Sequence, residues 1–152
     1  MRTKMFLIIA LASASLAACG GGKKTGDTTT TGAGGDTLYT RLGGQPAVAA
    51  VVDDFVANVA ADARINAFFA NANIPNLKKQ LNDQICNASG GGCQYTGKDM
   101  KTAHANMKIK DADFTALVED LVKSLDKFKV KDADKQELLK TLGGLKDQIV
   151  GH

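Results

Sequence analysis

The sequence predicts an all-α domain behind an export segment. Three observations carry the fold class. From Thr37 onward apolar residues recur at steps of three and four, and no stretch keeps the period-two alternation of a half-buried strand. The third observation is punctuation: glycine pairs and acidic or amide residues fall where such helices would stop and start. The chain has 152 residues, enough for one modest domain plus tails. Its formal net charge is +3. Removing Arg2 and Lys4 with the export segment leaves about +1. No basic stripe with interleaved aromatics occurs, so nothing points to nucleic acid.

The opening MRTKMFLIIALASASLAAC has a basic start, an apolar run and small residues before a cysteine, the architecture of a secretory signal. The run is short for a bilayer span and lacks stop-transfer flanks. The ending LAAC resembles a bacterial lipobox. That resemblance implies a signal peptide over residues 1–18, with lipidation at Cys19 as the first mature residue. Acyl chains hold through about 0.8 kcal/mol per buried CH2, and several chains anchor firmly. Gly20 stands where an Asp would retain the protein at the inner membrane. In a Gram-negative envelope this favours the outer membrane, so an exported, lipid-anchored protein in the cell envelope is expected. Residues 19–36 hold no bulky apolar side chain and read as a flexible Gly/Thr tether. Such a tether has a typical coil span of about 20–25 Å.

The domain occupies residues 37–151. A short helix over Leu38 to Leu42 is stopped by Gly43 and Gly44. Pro46 then sits where a helix tolerates it at its start. Val48, Val51, Val52, Phe55 and Val59 form one apolar face of the second helix. INAFFANANI, with adjacent Phe68 and Phe69, is a corner. Leu77, Leu81 and Ile85 stand four apart on the next helix, which the glycines at 90–92 end. A loop leads to a short helix with Met100, Ala103, His104 and Met107. Asp111 is read as the N-cap of a helix burying Phe114, Leu117, Val118, Leu121, Val122 and Leu125. The last helix starts near Asp132, another capping residue. It runs through Leu138, Leu139, Leu142, Leu145 and Ile149, with Gly143 and Gly144 inside it at a cost of about 1 kcal/mol each. Aromatic residues are only 5% of the chain, so an apolar cofactor would enlarge a small core.

His104 is the one interior histidine. Taken alone, it is a surface residue at least as readily as a ligand. Cys86 and Cys93 lie seven apart. In an oxidising compartment they are expected to bond, closing a loop worth about 2–3 kcal/mol; the alternative is two free thiols with Cys86 buried. Zinc lacks ligands here.

The order of landmarks resembles the group I truncated haemoglobins over Leu38 to Val150. LYTRLGG matches the opening helix and glycine pair, and VVDDFVANVAAD the second helix. INAFF matches the corner whose second Phe packs on haem. ASGGGCQYTGKDM matches the glycine loop, and MKTAHANMKIKDADF the segment with the iron-ligating histidine. The resemblance implies a two-over-two helical sandwich around non-covalent haem b; no C-x-x-C-H occurs for covalent attachment. It implies His104 as proximal ligand through Nε2, its other ring nitrogen donating to a backbone carbonyl. It also implies a haem pocket of Phe55, Phe69, Leu77, Leu81, Ile85, Met100, Met107 and Phe114. Lys78, Lys98 and Lys101 could meet the propionates. Periodicity alone reads the same apolar residues as core packing.

On the distal side the chain departs from that family. Val56 follows Phe55 where many members have Tyr, and Leu81 stands where Gln is common. The distal pocket is expected to hold Val56, Leu77, Gln80 and Leu81, with Leu77 and Leu81 facing the iron and Gln80 off to one side; a register shifted by one residue turns Gln80 inward. Losing a hydrogen-bond donor would weaken dioxygen binding by about 10–100-fold and favour CO, NO or redox chemistry. Lys78 and Lys79 are the remaining candidates for a second axial ligand.

Three functions compete. One is a pentacoordinate haem globin binding O2, NO or CO. Another is a haem enzyme, NO-dioxygenase-like or peroxidase-like, needing an electron donor that this chain does not supply. The third is a haem-free helical lipoprotein with an interaction role. Dioxygenation needs bound O2 to persist, which the apolar pocket argues against, so the gas-binding reading is favoured.

Overall fold

The computed structural model describes residues 35–152. The expected signal peptide, Cys19 and all but the last two residues of the tether lie outside the described residues. Among the described residues the secondary structure is helical, with no strand.

Helix α1 is Leu38–Arg41, capped by Thr37, whose Oγ1 accepts from the Thr40 N–H at 3.3 Å. Arg41 reaches across to the last long helix, donating from Nε to Asp134 at 2.6 Å and pairing also with Glu137. Gly43 (φ 95°) and Gly44 (φ 67°) then turn the chain through left-handed backbone, which residues with a Cβ rarely adopt. Helix α2, Gly44–Ala61, begins two residues before Pro46. The proline still falls in the first turn, where N–H groups have no intrahelical acceptor. Val48, Val51, Val52, Phe55, Val56 and Val59 are all buried.

A 3-10 turn at Asn66–Phe69 makes the corner. Helix α3, Ile74–Ala88, is capped by Asn73, whose Oδ1 accepts from the Asn76 N–H at 3.0 Å. After an irregular stretch, helix α4 covers Met100–His104, helix α5 Asp111–Lys127 and helix α6 Asp132–Gly143.

Helix α2 is the hub, packing on both α3 and α5, while α5 packs on α6. The pairs α2/α3 and α5/α6 form the two layers of a two-over-two sandwich. Burial of Val52, Ile65, Leu125 and Leu138 marks the core between them. A polar strut also crosses from α2 to α5: Ser124 Oγ donates to Asp54 at 2.9 Å, and Lys127 pairs with the same carboxylate. The Lys127 hydrogen bond holds Asp54 below the ordinary carboxylate range.

Three sequence expectations are corrected. Asp111 is the first residue of α5 rather than its cap; it pairs with Lys146 at 2.6 Å, and Asp113 accepts the Lys110 N–H at 2.9 Å instead. Asp132 is likewise the first residue of α6, preceded by Lys131, and pairs with Lys135 at 2.9 Å. Gly143 and Gly144 end α6 instead of lying inside it. Two adjacent glycines remove side-chain support from the last turn. The chain tightens into a 3-10 turn, Lys146–Gln148, with the Leu145 N–H bonded to Leu142 O at 3.0 Å.

Candidate functional site

Between α3, α4 and α5 lies a cavity of about 630 Å³, within the usual range of small-molecule sites. Helix α2 contributes Phe55, Val56 and Val59; α3 contributes Leu77, Gln80, Leu81, Gln84 and Ile85. Phe68 and Phe69 enter from the corner. Tyr95 to Lys98 form a loop wall. Met100 and His104 come from α4, Met107 from the segment after it, and Phe114, Leu117 and Val118 from α5. Leu139, Leu142, Leu145 and Ile149 close the side next to α6.

His104 is the chemically distinctive side chain. Its Nδ1 lies 2.7 Å from Met100 O. A carbonyl oxygen only accepts, so Nδ1 carries the proton and Nε2 of the neutral ring keeps a free lone pair. The geometry is intrahelical: Met100 and His104 are one turn apart on α4, and Asp99 starts that helix by accepting the Thr102 N–H at 2.9 Å. Hydrogen bonds from Thr102 keep Asp99 below the usual carboxylate range and so ionised as a cap. The ring is thus oriented by a helix of only five residues.

Every apolar residue proposed from the sequence for this pocket borders the cavity: Phe55, Phe69, Leu77, Leu81, Ile85, Met100, Met107 and Phe114, with Val56 beside them. Phe114, Leu117 and Val118 are only half-buried although they lie on the inner face of α5, because they front the cavity. An apolar wall of this extent calls for a large apolar occupant.

Polar groups are placed differently from expectation. Gln80 lines the cavity beside Leu77 and Leu81, because the cavity-facing arc of α3 is wide enough for positions 77, 80, 81 and 84. Gln84, overlooked in the sequence, donates from Nε2 to Met100 Sδ at 3.4 Å and so links α3 to α4. Of the three lysines considered for propionates, Lys98 borders the cavity; Lys101 is exposed outside it, and Lys78 pairs with Asp53 at 2.9 Å. Lys79 pairs with Asp83 at 2.6 Å, so neither Lys78 nor Lys79 offers the cavity an amine. Tyr95 Oη donates to Lys98 O at 2.8 Å, and burial pushes its hydroxyl up, keeping it protonated. Phe68, Val59 and the α6 leucines were legible as apolar positions, but nothing in their spacing distinguishes a cavity wall from a filled core.

Cys86 and Cys93 form a disulfide, with Cα atoms 5.6 Å apart. It ties the end of α3 to the loop that carries Tyr95 and Lys98.

A helical sandwich with a histidine lining an apolar cleft narrows the comparison to the globins. A family model described as bacterial-like globin matches residues 37–150. The group 1 truncated haemoglobin of Tetrahymena pyriformis is 34% identical over 115 residues, covering 76% of this chain and 95% of that protein. The chain belongs to the group 1 truncated haemoglobins. The crystal structure of the Tetrahymena pyriformis protein in its Fe(III) form superposes with a TM-score of 0.75 at 33% identity, covering 77% of this chain and 100% of that one. The 2/2 haemoglobin of Synechococcus, solved in a cyanomet state with covalently attached haem, gives a TM-score of 0.72 at 30% identity over 76% of this chain and 99% of that one.

Haem b is the cofactor of this family, and the cavity of this truncated haemoglobin fits it on its own chemistry. The walls are apolar, the one imidazole has a free Nε2, and Lys98 stands at the margin for an acidic substituent.

Proposed function

We propose that this truncated haemoglobin binds a diatomic gas at a pentacoordinate haem held by His104, on a domain anchored to a cell-envelope membrane through Cys19. The observation that carries the reading is the His104 ring, which lines the cavity with Nδ1 committed to Met100 O at 2.7 Å. Haem, when bound, supplies the iron to which O2, NO or CO attaches. The chain's residues do the rest. His104 presents Nε2, Phe55, Phe69 and Phe114 exclude water, and Lys98 is placed for a propionate. The walls from α2 and α3 support an open sixth position, since Val56, Leu77 and Leu81 carry no ligating atom.

The test is spectroscopic. Purified full-length protein is expected to show a Soret band, and a ferric electron paramagnetic resonance spectrum of high-spin type at neutral pH. His104→Ala is expected to lose the band or bind haem at least tenfold more weakly. Wild-type protein that takes up no haem on titration would falsify the reading and leave the haem-free interaction role in its place.

A further inference from the structure

We propose that Gly151 and His152 clamp the backbone just after His104 and so act as positioning residues for the imidazole that holds haem. The inference rests on the haem-globin reading above.

Helix α4 ends at His104, and the chain beyond it leaves ordinary backbone. Asn106 (φ 66°) and Lys108 (φ 52°) are both left-handed without being glycine. Asparagine tolerates that conformation, but lysine adopts it at a cost. Such backbone persists only where the surrounding structure over-determines it. A helix of five residues cannot supply that restraint, because one turn is not stable by itself. The Met107 N–H donates to His104 O at 3.1 Å, which is a bond inside the same turn.

The restraint comes from the segment 149–152. The Lys108 N–H donates to His152 O at 2.9 Å, and the Gly151 N–H donates to Ile109 O at 3.0 Å. The two bonds run in opposite directions and pair the two short segments side by side. Among the described residues, the backbone of 105–109 has no other backbone–backbone hydrogen bond to a different element. Gly151 makes the pairing possible through its left-handed φ of 82°; a Cβ there would meet nothing within 4 Å, so conformation and not space calls for glycine. His152 is fastened in turn. Its Nε2 lies 3.1 Å from Asp147 O, a carbonyl that only accepts, so Nε2 donates. Lys146 of the same 3-10 turn pairs with Asp111 at 2.6 Å, which roots the segment on the start of α5. Both sides of the clamp reach the cavity, Met107 and Ile109 from one and Ile149 from the other. Loosening the clamp therefore frees the histidine segment and the adjoining wall together.

The experiment compares the full chain with a chain stopped after Val150 and with Gly151→Val, which keeps the length but disfavours the left-handed φ. The readouts are amide hydrogen exchange at Lys108 in the protein as purified, the iron–histidine stretching band of the ferrous protein by resonance Raman, and the rate of haem loss to excess apomyoglobin. In both variants the Lys108 amide is expected to exchange at least about 10-fold faster. The stretching band is expected to shift, and haem to leave roughly 3- to 10-fold faster. Wild-type exchange and a wild-type band in a haem-loaded variant overturn the clamp. Lower urea stability with both unchanged shows support of the fold alone, and overturns the positioning role as well. If the shortened chain does not fold, Gly151→Val decides by the same criteria. Wild-type protein that takes up no haem overturns the haem reading and the positioning role with it, while exchange at Lys108 reports separately on whether the two segments are paired.

Discussion

At Gly97 the cavity wall is shaped by a missing side chain. A Cβ built there would overlap Tyr95 Oη and lie 2.6 Å from Gln80 Oε1. Both of those groups border the cavity, one from the loop and one from α3. Gly97→Ala is therefore expected to push Tyr95 or Gln80 off its seat, costing about 1–3 kcal/mol as an overpacked contact. Urea unfolding of the haem-loaded variant measures it; an unchanged midpoint would contradict the crowding. The sequence marks Gly97 as a loop residue but cannot show this contact, which joins residues far apart along the chain. His104 differs in kind. Its ring is fixed by its own helix, and the order of glycine, tyrosine and methionine landmarks around it singled it out in the sequence; the structure places it on the cavity wall. Gln80 was placed in the pocket wall beside Leu77 and Leu81, but periodicity gives the direction of a face and not the width of the arc that a cavity exposes.

At the scale of elements, the helices were legible and their ends were not. Apolar steps of three and four placed the inner faces of α2, α3 and α5, and burial of Val52, Ile85 and Leu125 agrees with them. Capping was harder, since an acidic residue near a helix start serves as cap or as first-turn charge, and its partner decides: Asp111 is drawn to Lys146. The loop between α3 and α4 depends on tertiary ties alone. Among the described residues no backbone N–H from 92 to 98 donates to a backbone carbonyl. The loop is held instead by the Cys86–Cys93 bond, by Asn87 Nδ2 donating to Cys93 O at 2.9 Å, and by Tyr95 on Lys98. Replacing Cys86 and Cys93 together by Ser is expected to lower stability by about 2–3 kcal/mol through the lost loop constraint. It should also speed amide hydrogen exchange over residues 92–98. Equal urea midpoints for the oxidised wild type and the double variant, with equal exchange in the loop, would show that the bond contributes nothing to the wall.

For the whole molecule, the proposed membrane anchor has to be supplied by some part of the chain. Among the described residues no helix is long and apolar enough to cross one. Electrostatics offers little: a basic residue beside an anionic surface contributes about 1 kcal/mol, and a chain processed as proposed would carry a net charge of about +1. The proposed anchor then rests on the N-terminal segment, and a single acyl chain gives only marginal, reversible binding. The proposal at Cys19 thus requires a multiply acylated cysteine. Expressed with its own signal in a Gram-negative host, the wild type is expected in the membrane pellet and the detergent phase, with acyl mass on the Cys19 peptide. Cys19→Ala should lose that mass. A chain beginning at residue 37 should be soluble and keep the wild-type Soret band, because the cavity is walled entirely by residues from Phe55 to Ile149. Wild-type protein recovered in the soluble fraction with an unmodified Cys19 would sink the anchor while leaving the haem site untouched. The two proposals are separable because they rest on separate stretches of chain.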